Sequence, residues 1–198
     1  AVEANRIYCE RKGYHLGGTG HNGNVSQLYR LLVEEVDELL RELLNPTIEK
    51  ARVRAEADDV LSYALQFVWE FDLDVDALSS DTNVHLSQRF PQLQEHAGQL
   101  MEQSSNDGGT TALVDLSQLP SLAIKLADDV RAVNGDFEKR SKMSPAAKRA
   151  RLTRGISDII FAVAKLTAAF QVDMSSTRVC SRGKQAPNKS YDSPTTST

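Results

Sequence analysis

Apolar runs approaching the roughly 20 residues needed to cross a bilayer are missing from this 198-residue chain, and its first residues, Ala-Val-Glu-Ala-Asn-Arg, hold no hydrophobic stretch of the signal-peptide kind. No membrane association is expected. Cysteine is scarce as well: Cys9 and Cys180 lie near opposite ends, with no spacing for zinc or a redox pair. Both are expected as free thiols in the cytoplasm or another reducing intracellular compartment, and a start at Ala1 rather than Met leaves room for import into an organelle. An excess of positive charge is also lacking. The net charge is -4, and residues 25–74 carry twelve acids against five bases, which would repel a phosphate backbone and argues against nucleic acid as a partner. The exception is 175–198, where Arg178, Arg182, Lys184 and Lys189 stand against Asp192 in a Ser/Thr/Pro-rich stretch that cannot bury a core, read as a disordered basic tail.

Period-two alternation is scarce too, so no sheet is expected, whereas the long segments run with helical period. The spacing predicts a short helix over 1–12, then a glycine-rich connector containing Gly18-x-Gly20-x-x-Gly23. That spacing matches a dinucleotide loop, but the loop needs a preceding strand, and an amphipathic helix follows instead. Asn24 as N-cap with Gln27 opens this helix, which Asn45-Pro46 ends, and Pro46 suits the first turn of a second helix running to about Phe71. Residues 75–100 read as a further short helix with irregular chain, and 99–111 as linker by composition.

Beyond the linker the pattern returns. A slide of 99 residues matches Pro46, Ala51, Arg52, Asp59, Phe71 and Asp74 with Pro145, Ala150, Arg151, Asp158, Phe170 and Asp173, and a slide of 90 lays Leu32, Val36, Glu38 and Leu40 over Leu122, Leu126, Asp128 and Val130. The expected organisation is an internal duplication: a first repeat over 1–98, a linker over 99–118, a second repeat over 119–174 and the tail over 175–198. The fold class is all-α, a helical bundle of two helix-turn-helix repeats in one chain.

The first repeat carries Glu35-x-x-Glu38 on one helix and Glu56-x-x-Asp59 on the next. Helical geometry sets each pair on one face, at the rim of the apolar stripe, while Glu34 and Asp37 fall on the solvated side. Half-buried carboxylates held close together raise one another's pKa unless a cation compensates. A hard divalent cation with oxygen ligands does so. Ordinary salt bridges, Glu38 with Arg41 or Glu56 with Arg52, are the other arrangement the spacing allows.

In this context the double acidic motif resembles the all-α nucleoside triphosphate pyrophosphohydrolases, the group of MazG-like proteins and dimeric dUTPases. The stretch from Phe71 to Leu78, then Asn83 and Arg89-Phe90-Pro91, is similar to that family's following segment. The resemblance covers about residues 1–95, with a weaker echo over 119–174. It implies hydrolysis of a nucleotide between the α- and β-phosphates to a monophosphate and pyrophosphate, in the service of nucleotide-pool cleansing. Glu35, Glu38, Glu56 and Asp59 would hold Mg2+, or Mn2+ in its place; Glu35 or Glu34 would take a proton from water; Asn83 and Arg89 would reach phosphate or sugar oxygens. Tyr63, with Phe67 and Trp69, would pack on the base. The second repeat departs from the pattern, since under these slides Glu35 becomes Lys125 and Glu56 becomes Gly155, leaving Asp128 and Asp158. It is expected to be inactive and to supply the helices that a second subunit supplies in homodimeric relatives, making the chain a monomer with an internal pseudo-dimer, or else a homodimer. A bundle that has lost turnover and serves as a nucleotide-binding or scaffold protein is the alternative. His15, His21, His85 and His96 have no ligand spacing and receive no role.

Overall fold

A computed structural model of the chain describes residues 2–14, 25–74, 90–106, 116–133 and 143–174, and these form six helices and no strand: α1 (Val2–Lys12), α2 (Val25–Leu44), α3 (Lys50–Glu70), α4 (Phe90–Asn106), α5 (Gln118–Val133) and α6 (Pro145–Ala169). The fold is an all-α helical bundle. Asn24, Asn83 and Arg89, the glycine-rich connector and the tail lie outside the described residues.

The long helices form because their apolar residues recur at three- and four-residue steps. On α2 the buried set is Val25, Leu28, Leu32, Val36, Leu39 and Leu43. The stripe stops at Asn45, whose side-chain oxygen accepts from the Thr47 N–H at 3.0 Å. That local turn holds residues 45–49 out of helical geometry, so α3 begins at Lys50, four residues later than Pro46. By contrast α6 does start on its proline. Ser144 caps it by accepting from the Ala147 N–H at 3.2 Å. Replacing Ser144 with Ala is expected to cost about 1 kcal/mol, read as a lowered denaturation midpoint at unchanged slope.

α2 and α3 form one antiparallel hairpin and α5 and α6 another; α2 packs on α5 and α3 on α6, while α1 lies on α3 and α4 on α6. One continuous apolar core runs through all four central helices. The Tyr29 hydroxyl donates to the Ala123 carbonyl at 2.9 Å, tying α2 to α5. α1 is held by polar groups at its buried face: Asn5 donates to the Ser62 carbonyl and accepts from the Trp69 indole at 2.9 Å, and Gln66 donates to the Tyr14 carbonyl at 2.7 Å.

The 99-residue spacing recurs in the backbone. α3 and α6 each end in a left-handed residue, Asp72 at φ 49° and Gln171 at φ 51°. The next residue turns back into the core: the Leu73 N–H donates to the Val68 carbonyl and the Val172 N–H to the Thr167 carbonyl, both at 2.8 Å. This is the long closing bond of a helix stop that usually employs glycine, and after α6 the Gln171 N–H adds a second bond to the Ala168 carbonyl at 3.0 Å. α4 differs from the sequence expectation. It runs to Asn106, through the first part of the segment read as linker, because Phe90, Leu93 and Ala97 bury one face and the polar residues beyond continue the same helix. Its packing on α6, with Gln94 donating to the Val172 carbonyl at 2.7 Å, groups it with the second half rather than with residues 1–98.

Candidate metal centre

The α2–α3 hairpin sets the register of the acids. Arg52 reaches back from α3 to Glu42 at 3.8 Å, so that one turn further along Glu38 stands across from Glu56, and Glu35 across from Asp59. Glu35, Glu38 and Glu56 each offer one carboxylate oxygen within 4.8 Å of the others, all three half-buried. The Oε2 atoms of Glu35 and Glu56 are shut off from solvent. Of the two guanidiniums that spacing offered as partners, Arg41 bonds Asp37 at 3.1 Å and also feels the negative charges of Glu38 and Glu56, while Arg52 pairs with Glu49 at 3.0 Å and with Glu42.

Three hard oxygen donors at this separation suit Mg2+ or Mn2+, whose neighbouring ligand oxygens sit roughly 3–4 Å apart, after small side-chain adjustments. Asp59 is half-buried one turn along the same face and is not a member of the mutually close triple. Glu34 is exposed on the opposite side, 4.0 Å from Arg30, apart from the three. Tyr63 is half-buried next to the acids; burial pushes its hydroxyl ionisation upward, and the negative charges of Glu35 and Asp59 add to this, so the phenol stays protonated. Phe67 is fully buried and presents no face for a base to pack on, whereas Trp69 is half-buried and its indole N–H donates to Asn5 at 2.9 Å.

Sequence reading passed over Asp58. It is 5% exposed, and its period with Leu61, Leu65 and Val68 marks an inward position. Burial pushes its pKa up to about 6, against the pull of Arg54 at 4.0 Å. A carboxyl whose folded pKa lies above its unfolded value of about 3.9 favours the fold when protonated, so this contribution is lost as pH rises from about 4 through 6. With chelator present, Asp58→Asn is therefore expected to stabilise the protein by about 1–3 kcal/mol at pH 7.5, and the gain should vanish near pH 4. Denaturant titrations at the two pH values check this.

The second half meets its own register differently from the slide of 90. Leu119, Ala123, Leu126 and Val130 are the buried residues of α5, and they match Leu32, Val36, Leu39 and Leu43 at a slide of 87. The ion pairs agree: Arg151 holds Asp129 at 2.7 Å as Arg52 holds Glu42. The pairings at 90 are thus corrected. A three-residue slip turns a helix by only about 60°, which preserves most of an apolar stripe and hides the error in sequence. In the corrected register Glu35, Glu38, Glu56 and Asp59 correspond to Leu122, Lys125, Gly155 and Asp158. Asp128, which the earlier slide set against Glu38, has a side chain 72% exposed and pairs with Arg131 at 3.6 Å.

A separate cleft of about 910 Å3 opens between the turn after α3 and the first turns of α6, with Asp72 and Asp74 facing Arg149 and Arg154. It lies some 16 residues along α3 from Glu56, about 24 Å at helical rise, and is no part of the acidic centre. No protein-family model, curated protein or solved structure matches the chain.

Proposed function

We propose that the chain is a Mg2+-dependent nucleoside triphosphate pyrophosphohydrolase of MazG-like type, built as a tandem duplication with one active centre per chain, on α2 and α3. The observation that carries this reading is the convergence of Glu35, Glu38 and Glu56, from two helices, on one half-buried spot at the edge of the core. Acids carried on facing helices of a bundle are a recurrent way to build such a centre. Its oxygen-only donor set selects a hard cation that keeps coordination positions for water and phosphate.

Glu38 and Glu56, with Glu35, would hold the metal, and Asp59 would complete the set on the α3 side. When bound, Mg2+ supplies neutralisation of phosphate charge and a more acidic water. A Glu35 oxygen not engaged in that task would accept the water's proton, as its position across from Asp59 permits. Tyr63, kept neutral, would offer a ring edge and a hydroxyl donor to the nucleotide. The packing of α5 on α2 and α6 on α3 supports a reading in which the second half fills the place that a partner subunit would fill, in a monomer with an internal pseudo-dimer or in a homodimer.

Purified chain with Mg2+ and a panel of ordinary and modified NTPs and dNTPs tests the reading through pyrophosphate release. Release that disappears with chelator is expected. A folded protein that releases none from any member of the panel overturns the enzyme, and leaves the bundle as a nucleotide-binding or scaffold protein.

A further inference from the structure

The acidic face of α3 continues past the metal centre. Glu56, Asp59, Tyr63 and Gln66 follow one another at steps of three, four and three residues, which keeps them on one side of the helix over about 15 Å at helical rise. Gln66, 1% exposed, closes this row and is committed to α1: its side-chain N–H donates to the Tyr14 carbonyl at 2.7 Å, and its oxygen accepts from the Cys9 thiol at 4.0 Å. The end of α1 delivers Tyr14 to that place. Gly13 takes a left-handed φ of 71°, and the Tyr14 N–H returns to the Cys9 carbonyl at 2.7 Å, so the chain folds back over the last turn of α1, above the residue that faces Gln66. Both polar groups of the Tyr14 backbone are thus held, one by α1 and one by α3, beside Tyr63, which lies one turn along α3 from Gln66. Electrostatics agree with this placement: after burial, Glu35 and Asp59, the neighbouring Tyr14 and Cys9 push the Tyr63 ionisation further upward. Both tyrosines are half-buried.

We infer that Tyr14 is a nucleoside-binding residue of the acidic centre: pinned by the Gly13 turn and by Gln66, it forms with Tyr63 an aromatic wall for the base of a nucleotide whose phosphates are held at Glu35, Glu38 and Glu56. The inference deepens the proposed metal centre and rests on it. A metal held by carboxylates grips phosphate oxygens and has no hold on a base. Two half-buried phenols beyond the acids supply flat apolar area with a polar edge. α1 is then the element that turns a phosphate site into a nucleotide site. This gives a reason for docking a helix whose buried residues include Asn5 and Cys9 through polar contacts, with Asn5 bonded to the Ser62 carbonyl, the Trp69 indole and the Cys9 thiol.

Calorimetric titration of the full chain with Mg2+ and the α,β-imido analogues of dATP, dGTP, dCTP and dTTP tests this, with inorganic triphosphate as the control that lacks a base. Tyr14→Ala is expected to weaken the tightest-binding analogue about tenfold or more, the loss ordinarily seen when a stacking ring is truncated, and to leave inorganic triphosphate within about twofold. Tyr14→Phe, which keeps the ring, should stay within about threefold of wild type for the analogue. The emission of Trp69, the single tryptophan, reports whether α1 is still docked. Should Tyr14→Ala release α1, Tyr14→Leu keeps the bulk without the aromatic face and is expected to lose about fivefold or more. An analogue bound within about twofold of wild type by the folded variant, a Tyr14→Phe as weak as Tyr14→Ala, or an equal loss for inorganic triphosphate overturns the inference. Failure of the metal centre shows differently, as wild-type protein that binds neither inorganic triphosphate nor any analogue in a Mg2+-dependent way, and the inference falls with it.

Discussion

Glu38→Gln is expected to lower Mg2+-dependent pyrophosphate release by about 100-fold or more, equivalent to about 2.7 kcal/mol of transition-state stabilisation, with the helical signal intact. The substitution keeps the size of the side chain and removes one negative charge from a cluster whose members stand within 4.8 Å. If the cluster exists to hold a cation, relief of repulsion makes the metal-free variant as stable as the wild type or more so. The stabilisation that added Mg2+ confers on the wild type, about 2.7 kcal/mol at a hundred times Kd, should largely disappear. If instead the acids were structural ion-pair partners, the metal-free variant would lose stability and Mg2+ would alter neither protein. Thermal melts with and without metal, beside the turnover assay, separate the two. Asp59→Asn, removing an acid outside the close triple, is expected to lower release less than Glu38→Gln does, and an equal loss would mean that Asp59 joins the centre when metal binds.

Phe67→Ala should remove about 3–5 kcal/mol, against the roughly 5–15 kcal/mol that ordinarily holds a domain together, and bring the chain close to unfolding. Phe67 is 0% exposed and stacks on Phe71 with ring centroids 5.9 Å apart, so truncation leaves a cavity in the α3 face of the core. Phe67→Leu is expected to cost much less, about 1–2 kcal/mol, since Leu166 fills the matching position of α6 at 3% exposure and the bundle tolerates that shape there. The pair of variants also tests the site. A buried ring cannot touch a nucleotide, so Phe67→Leu should leave KM within about twofold of wild type, whereas Tyr63→Phe, at the rim, should raise it. A KM raised by Phe67→Leu and untouched by Tyr63→Phe would place the base against the wrong part of α3.

The centre was legible in sequence to the extent that helical spacing governs it. Glu35-x-x-Glu38 and Glu56-x-x-Asp59 each occupy one helix face by periodicity alone, and a hairpin between them follows from Asn45-Pro46. What spacing could not rank were the four acids among themselves. That depends on the hairpin register, fixed by the reach from Arg52 to Glu42, and on helix separation. Asp58 escaped because charged residues are ordinarily exposed, and only packing reveals that this one faces inward.

By itself the sequence determined the all-helical class and the 99-residue recurrence between α3 and α6, because both are written in local periodicity and in the identities at Phe71 and Phe170 or Asp59 and Asp158. It determined too that half-buried acids would gather on α2 and α3. Tertiary structure alone decided that α4 belongs with α6, that α2 and α5 match at a slide of 87, and hence that Lys125 rather than Asp128 stands in for Glu38. The physical reason is that an apolar stripe more than 100° wide absorbs a one-turn slip almost without change, whereas an ion pair such as Arg151 with Asp129 forms in one register only.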